Sequence, residues 1–216
     1  MAEKLHVQLE ELQEEILSMA DLAREMLSGS VEAMIAQDAE AAEEIIVRLG
    51  EIREMNDRLE ERCYQMIALY QPMATDMRKI ACGLKVIASS DRIGRYGKDI
   101  AKMVEDISDK PHLAHMLSIP HMAGLVLEMV DDAVNAYRTG DLSYIEDFSR
   151  RDDAVDALRY SIFREAITYM MEDPKNISRC TDYIMMSRYL ERCGDHAGKI
   201  AENVHYMVTG EHIEIQ

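Results

Sequence analysis

Proline and glycine are scarce in this chain of 216 residues, at 4 and 10, so few positions force the backbone out of a helix. Positive charge is also short. Lys+Arg number 24 against 41 Asp+Glu, a net charge of −17. Binding to a nucleic-acid backbone needs a basic surface that neutralises phosphates, so that class is disfavoured. A cation or a basic protein partner suits such a chain better. The 4 cysteines show no C-x-x-C spacing, which removes a zinc knuckle and a redox pair and leaves reduced, part-buried thiols. No apolar run approaches the roughly 20 residues of a membrane span. The amphipathic, acidic start MAEKLHVQLEELQEEI lacks the apolar core of a signal peptide. A soluble cytoplasmic protein is expected. There is no Gly-rich phosphate loop, no G-x-S-x-G and no paired general acid and base, so no catalysis is expected.

What the chain does have is helical periodicity. Hydrophobic residues make up 48% and charged ones 30%, a globular balance. Leu5, Leu9, Leu12, Ile16, Met19, Ala23 and Met26 step by alternating fours and threes, as along a coiled-coil seam. That helix is expected to reach Ala36, with Asp38 as the N-cap of a second helix that stops before Pro72. A third covers about Thr75 to Ile107. The segment Asp109–Pro120, DKPHLAHMLSIP, reads as a linker. Further helices are expected from His121 to about Thr139, from Tyr144 to Met171 with a break at Pro174, and from Ile177 to Met207. The pattern then proves to be a repeat. SSDRIGRYGKDIAK (89–102) overlays YLERCGDHAGKIAE (189–202) at an offset of 100, with Arg92/Arg192, Gly94/Gly194, Ile100/Ile200 and Ala101/Ala201 identical. The expected fold is all-α, two tandem three-helix bundles of six long helices, residues 1–108 and 121–216.

The stretch YLERCGDHAGKIAENV near the end aligns carboxylates where a helix would bury apolar groups. At 100° per residue, Glu191, Asp195, Gly198 and Glu202 fall within about 40° of one direction. An all-oxygen stripe suits hard cations. The alternative is a solvated helix face with carboxylates paired to Arg188, Arg192 and Lys199.

LERCGDHAGKIAE resembles the repeated signature of the PhoU-like phosphate-uptake regulators, roughly L-E-R-I-G-D-H-A-x-N-I-A-E. ALYQPMATDMRKI (68–80) is similar to that family's R-Q-P-x-A-x-D-L-R segment. The resemblance covers nearly the whole chain. It implies a cytoplasmic negative regulator of phosphate uptake and phosphate-responsive signalling, not an enzyme. Such a regulator acts through the phosphate transporter's ATPase and, in many bacteria, a sensor histidine kinase, and is usually a homodimer. It reaches the membrane only through the transporter. The resemblance also implies bound metal: iron, zinc, manganese or magnesium held by carboxylates. By motif match Glu191 and Asp195 are ligands of the second half, with Glu202 on the same stripe, and Asp91 takes the Glu position of the first. Where the first-half Asp belongs stands Arg95, followed by Tyr96. Asp91 and Arg95 can pair with each other, and Lys98 and Lys102 add positive charge. The first-half site is therefore expected to be lost or weakened, with Asp99 a remnant ligand. Lys199 replaces the motif's Asn.

Glu3–His6 and Glu202–His205 are Glu-x-x-His pairs of the kind found in ferritin-like di-iron bundles, so a non-haem iron oxidase is an alternative, and a purely structural helical module another. The pairs sit at the chain's extremes rather than in central turns. His112, His115 and His121 are read as solvated loop residues. His196, about 100° from Asp195, is given a packing or supporting role. Glu128, Asp132 and Asn135, with Asp153 and Asp156, form a second acidic row that could complete the site. The 17 methionines are core filler at helical positions.

Overall fold

The alternating spacing near the start places one apolar stripe along α1 (Ala2–Ala36), and all seven residues named above are buried. This computed structural model describes residues 2–108, 112–113 and 118–215. After α1, Asp38 accepts hydrogen bonds from the backbone N–H groups of Glu40 and Ala41, both at 3.0 Å, and starts α2 (Ala39–Val47) as an N-cap. The expected second helix is in two pieces, α2 and α3 (Leu49–Tyr70). At Arg48 the N–H turns to the carbonyl of Ile45, three residues back, at 3.2 Å, and Gly50 with its low helix propensity follows. α3 ends as expected before Pro72, with Gln71 left-handed at φ 48. α4 (Thr75–Ile107) completes the first bundle.

The second bundle begins at Ser118, three residues before the expected start. Pro120 lies in the first turn of α5 (Ser118–Thr139), where its missing N–H costs no helical hydrogen bond. Most of the expected linker lies outside the described residues. A 3₁₀ turn at Leu142–Ile145 precedes α6 (Phe148–Glu172), and a second at Pro174–Asn176 leads into α7 (Ile177–Thr209). Among the described residues there is no strand, and no helix is long and apolar enough to cross a membrane.

α4 packs along α1 and against α2 and α3, and α7 packs along α5 and α6. The two bundles meet where α4 lies along α7 and α1 touches α5. Leu12, Ile16, Ile87, Ile93, Val126, Leu190 and Ile200 belong to one continuous buried core. Burying such a side chain is worth roughly 1.5–3 kcal/mol each. Polar ties cross the seam. Arg24 grips Asp131 with two parallel bonds of 3.0 and 3.1 Å, and the Gln13 amide donates to the Tyr137 carbonyl at 2.8 Å.

A carboxylate groove on the second bundle

Glycine sets how closely α7 meets its neighbours. A Cβ on Gly194 would lie 3.9 Å from both Val126 of α5 and Val155 of α6, so the helices pass at ordinary van der Waals distance. Cys193, Gly194, Ala197, Ile200 and Ala201 fill the buried side of α7. Glu191, half-buried, and Asp195, exposed and one turn on, lie outside the core, and Glu191 meets α6. From α6, Arg159 reaches Glu191 at 3.2 Å and Asp156 at 3.9 Å, and its guanidinium lies over the Tyr160 ring. The arginine in contact with Glu191 thus comes from the facing helix, while Arg188 acts on Glu191, and Lys199 and Arg192 on Asp195, at longer range.

Burial and then acid crowding set the electrostatics here. Burial pushes the Glu191 carboxyl above its usual range, Arg159 pulls it back, and Asp195 and Asp156 raise it further. Asp195 is likewise raised by burial, against Lys199, with Asp156 adding to the rise. Asp152 is raised by burial and then by Asp195, Asp156, Asp153 and Glu191. These carboxylates therefore feel one another, and a cation between α6 and α7 would relieve the repulsion. A cavity of about 320 Å³ opens beside them, lined by Asp152, Asp195, Gly198, Lys199, Glu202 and Glu214. Among the described residues no three or more His, Cys, Asp or Glu side chains are drawn together closely enough to hold a metal ion as they stand.

Glu202 is reached by the chain's own end. Its Oε1 accepts the backbone N–H of Ile215 at 2.9 Å, and the tail after α7 folds back with His212 stacked on Tyr206 at 4.0 Å. The His205 Nδ1 meets the Glu211 carbonyl at 2.9 Å, so the Glu202–His205 pair is engaged by the tail. The side chain of Glu3 lies outside the described residues.

The first bundle is built differently. Arg95 donates to Asp91 at 2.6 Å, and Lys98 pairs with Asp99. The other Asp91 oxygen, Oδ1, is buried without a hydrogen-bond partner among the described residues. A Cβ on Gly94 would meet Ile52 of α3 at 3.2 Å, where Gly194 faces Val155. Ile52 and Val155 thus hold equivalent places. In that register α6 carries Asp152, Asp153 and Asp156 where α3 carries Leu49, Gly50 and Arg53. The facing helix of the first half has no acids at those positions, a difference that the motif on α4 alone does not show.

Other candidates separate clearly. His196 packs 6.1 Å from the Tyr96 ring at the α4–α7 seam, and burial, helped by Lys199 and Arg92, lowers its pKa to about 4. His112 is not a solvated loop residue: its ring nitrogens meet the Tyr183 hydroxyl at 2.7 Å and the Met34 carbonyl at 2.9 Å. His121 is exposed, and His115 lies outside the described residues. Asp132 is held by Arg151, and Asn135 accepts from Arg138, while Glu128 and Asp153 are exposed. Asp156 does join the groove. Asp152, Arg159 and Glu214 were not singled out from sequence. Asp152, one turn before Asp156, carried a readable signal, whereas Glu214 arrives only because the tail turns back. Arg78, in the segment resembling R-Q-P-x-A-x-D-L-R, donates to the Met207 carbonyl at 3.3 Å and so ties the first bundle to the end of α7.

Fold and motif define a tandem-bundle protein whose two motif helices meet at its centre. A comparison with protein families matches the PhoU domain over residues 16–104 and again over 119–204, and the chain belongs to the PhoU family. It is 36% identical over 213 residues to the "Phosphate-specific transport system accessory protein PhoU homolog" of Aquifex aeolicus, covering 99% of this chain and 96% of that protein. The homolog of the same name in Rhizobium meliloti is 33% identical, over 94% of this chain and 86% of its own length. Among solved structures, PhoU from Pseudomonas aeruginosa superposes with a TM-score of 0.91 at 31% identity, over 95% of this chain and 99% of that one. The phosphate transport system regulatory protein PhoU from Streptococcus pneumoniae gives 0.88 at 26% identity, over 97% and 99%.

Proposed function

We propose that this protein is a cytoplasmic negative regulator of phosphate uptake and phosphate-responsive signalling. It acts by binding the ATPase of a phosphate transporter, and a sensor histidine kinase, rather than by turnover, and it works as a homodimer. The observation carrying this reading is the PhoU domain in both halves, in relatives named as accessory proteins of the phosphate-specific transport system. The metal site belongs to the same reading. Glu191 and Asp195 of α7, with Asp152 and Asp156 of α6, supply an all-oxygen donor set that fits manganese, magnesium or ferric iron better than zinc. Arg159, now 3.2 Å from Glu191, would have to release that carboxylate for it to serve as a ligand, and Glu202 and Glu214 line the adjacent cavity. A metal held there would neutralise the crowded carboxylates and tie α6 to α7. In the first half, Asp91 and Asp99 stay with Arg95 and Lys98 and hold no ion.

Affinity capture of the full chain from phosphate-replete cells tests the regulatory reading. The transporter's ATPase is expected to co-purify, and deleting the gene should raise phosphate uptake or phosphate-responsive expression. If neither the ATPase nor a sensor kinase is captured and deletion changes neither phenotype, the reading fails.

A further inference from the structure

We propose that the groove between α4 and α7, which shares Lys199 and Glu202 with the carboxylate cavity, binds a small phosphoryl dianion. The groove is a cavity of about 440 Å³ whose lining includes Lys85, Ser89 and Arg92 of α4 and His196, Lys199 and Asn203 of α7. Lys85, Ser89 and Arg92 share one face of α4 by their spacing, as do His196, Lys199 and Asn203 on α7. Three cations on one cavity run against a chain of net charge −17. Among the described residues none of the three forms a close ion pair, and Lys199 also acts on Asp195 one turn away. Solvated lysines on a helix face are common, so charge alone decides little.

The internal repeat decides more, because it supplies a second groove for comparison. At the offset of 100, Ser89 corresponds to Tyr189, His196 to Tyr96, Arg92 to Arg192, Lys85 to Met185 and Lys199 to Asp99. At the equivalent place in the repeat, Tyr96 stacks on Tyr189 at 5.6 Å and lies beside Arg192. Aromatic rings fill the groove there, and Tyr96, Glu191 and Asp195 all stabilise the charge of Arg192. On this side the rings are replaced by Ser89 and an imidazole, the equivalent arginine is left without a partner among the described residues, and Met185 and Asp99 become lysines. Two halves of one repeat thus yield one closed, charge-balanced groove and one open, cationic one.

The chemistry of the lining selects the ligand class. Three cations match a dianion better than a carboxylate, which one or two satisfy, and the guanidinium of Arg92 is suited to tetrahedral oxyanions. The Ser89 hydroxyl and Asn203 amide add neutral donors. His196, whose buried Nδ1 has no hydrogen-bond partner among the described residues, adds a further polar group. Among the described residues Glu202 is the single carboxylate of the lining, and its Oε1 already accepts from the Ile215 N–H. Its free oxygen can accept the proton of a hydrogen phosphate but only repels sulfate, which has no proton to give. Free phosphate and a phosphomonoester share this chemistry.

Calorimetric titration of the purified full chain, at fixed ionic strength and with divalent cations chelated, tests the proposal. Chelation removes binding through a metal in the carboxylate groove. Inorganic phosphate or glycerol phosphate should bind in the millimolar range, ~1 mM, and the tighter of the two identifies the source. Arg92→Gln with Lys199→Gln should weaken binding at least tenfold, with unchanged far-ultraviolet circular dichroism. The exposed Lys85→Gln provides an independent loss of about threefold, while Arg192→Gln in the closed groove should leave affinity intact. Sulfate should compete several-fold more weakly. Absence of binding to either phosphate at 10 mM, binding that survives the double substitution, equal loss from Arg192→Gln, or equal competition by sulfate would each overturn the proposal. The titration reads binding alone, so its failure leaves the regulatory reading standing, and a failed capture leaves this groove standing.

Discussion

At the scale of single residues, burial sets the chemistry. All four cysteines are buried; burial pushes the Cys63 thiol up to about 11 and Cys82 up to about 12, and raises Cys180 and Cys193 as well. Since the thiolate is the reacting species, native protein at pH 7.5 should resist Ellman's reagent for hours, and all four should react at once in denaturant. A thiol titrating quickly in the native state would contradict the packing around it. The carboxylates of the groove follow the same rule with another consequence. Asp152, Glu191 and Asp195 are held above the usual carboxylate range, chiefly by burial and then by one another. A group whose pKa rises on folding contributes stability below its unfolded pKa and loses it as pH climbs through the folded value. These three therefore weaken the metal-free fold at neutral pH. Asp195→Asn should stabilise metal-free protein by about 0.5 kcal/mol, a like-charge effect, or ~1–2 °C. Adding Mn²⁺ at pH 7 should raise the melting temperature of the wild type and not of Asp195→Asn. The sequence showed Glu191 and Asp195 because their spacing is a property of one helix. Arg159 stayed hidden because only packing decides which arginine of a facing helix arrives.

At the scale of elements, most helices were legible, since a 3.6-residue apolar period survives any tertiary arrangement. The break at Arg48 was not, because a carbonyl shared three residues back leaves no mark on that period. Nor was the 3₁₀ turn at Leu142–Ile145, a segment read partly as the start of a helix. Glycines show how differently one residue type acts in two helices. A Cβ on Gly97 would lie 2.9 Å from the backbone carbon of Met26, so α1 and α4 touch main chain to main chain. Gly97→Ala should therefore cost about 1–3 kcal/mol by forcing α1 away. Gly194→Ala, with its nearest neighbours at 3.9 Å, should cost under about 1 kcal/mol. Urea denaturation of both variants checks the pair, and equal losses would show that α1 and α4 are not in backbone contact.

At the scale of the whole molecule, a repeated fold carries an unrepeated surface. The sequence pointed to Arg95 as the feature that weakens the first-half site, and the structure forms the Asp91–Arg95 pair, at 2.6 Å, on which that expectation rests. Arg95 is only half of the difference. Leu49, Gly50 and Arg53 stand on α3 where α6 has three aspartates, a register visible only once Gly94 is seen against Ile52 and Gly194 against Val155. A metal in the first half would also meet Arg95, Lys98 and Lys102, each a repulsion of ~1–4 kcal/mol at close range. Elemental analysis of protein loaded with Mn²⁺ and then desalted tests this asymmetry most directly. Wild type and Asp91→Ala should retain the same metal content, and Asp195→Ala should lose most of it. Equal loss from Asp91→Ala and Asp195→Ala, or full retention by Asp195→Ala, would contradict the assignment of the metal to the groove between α6 and α7.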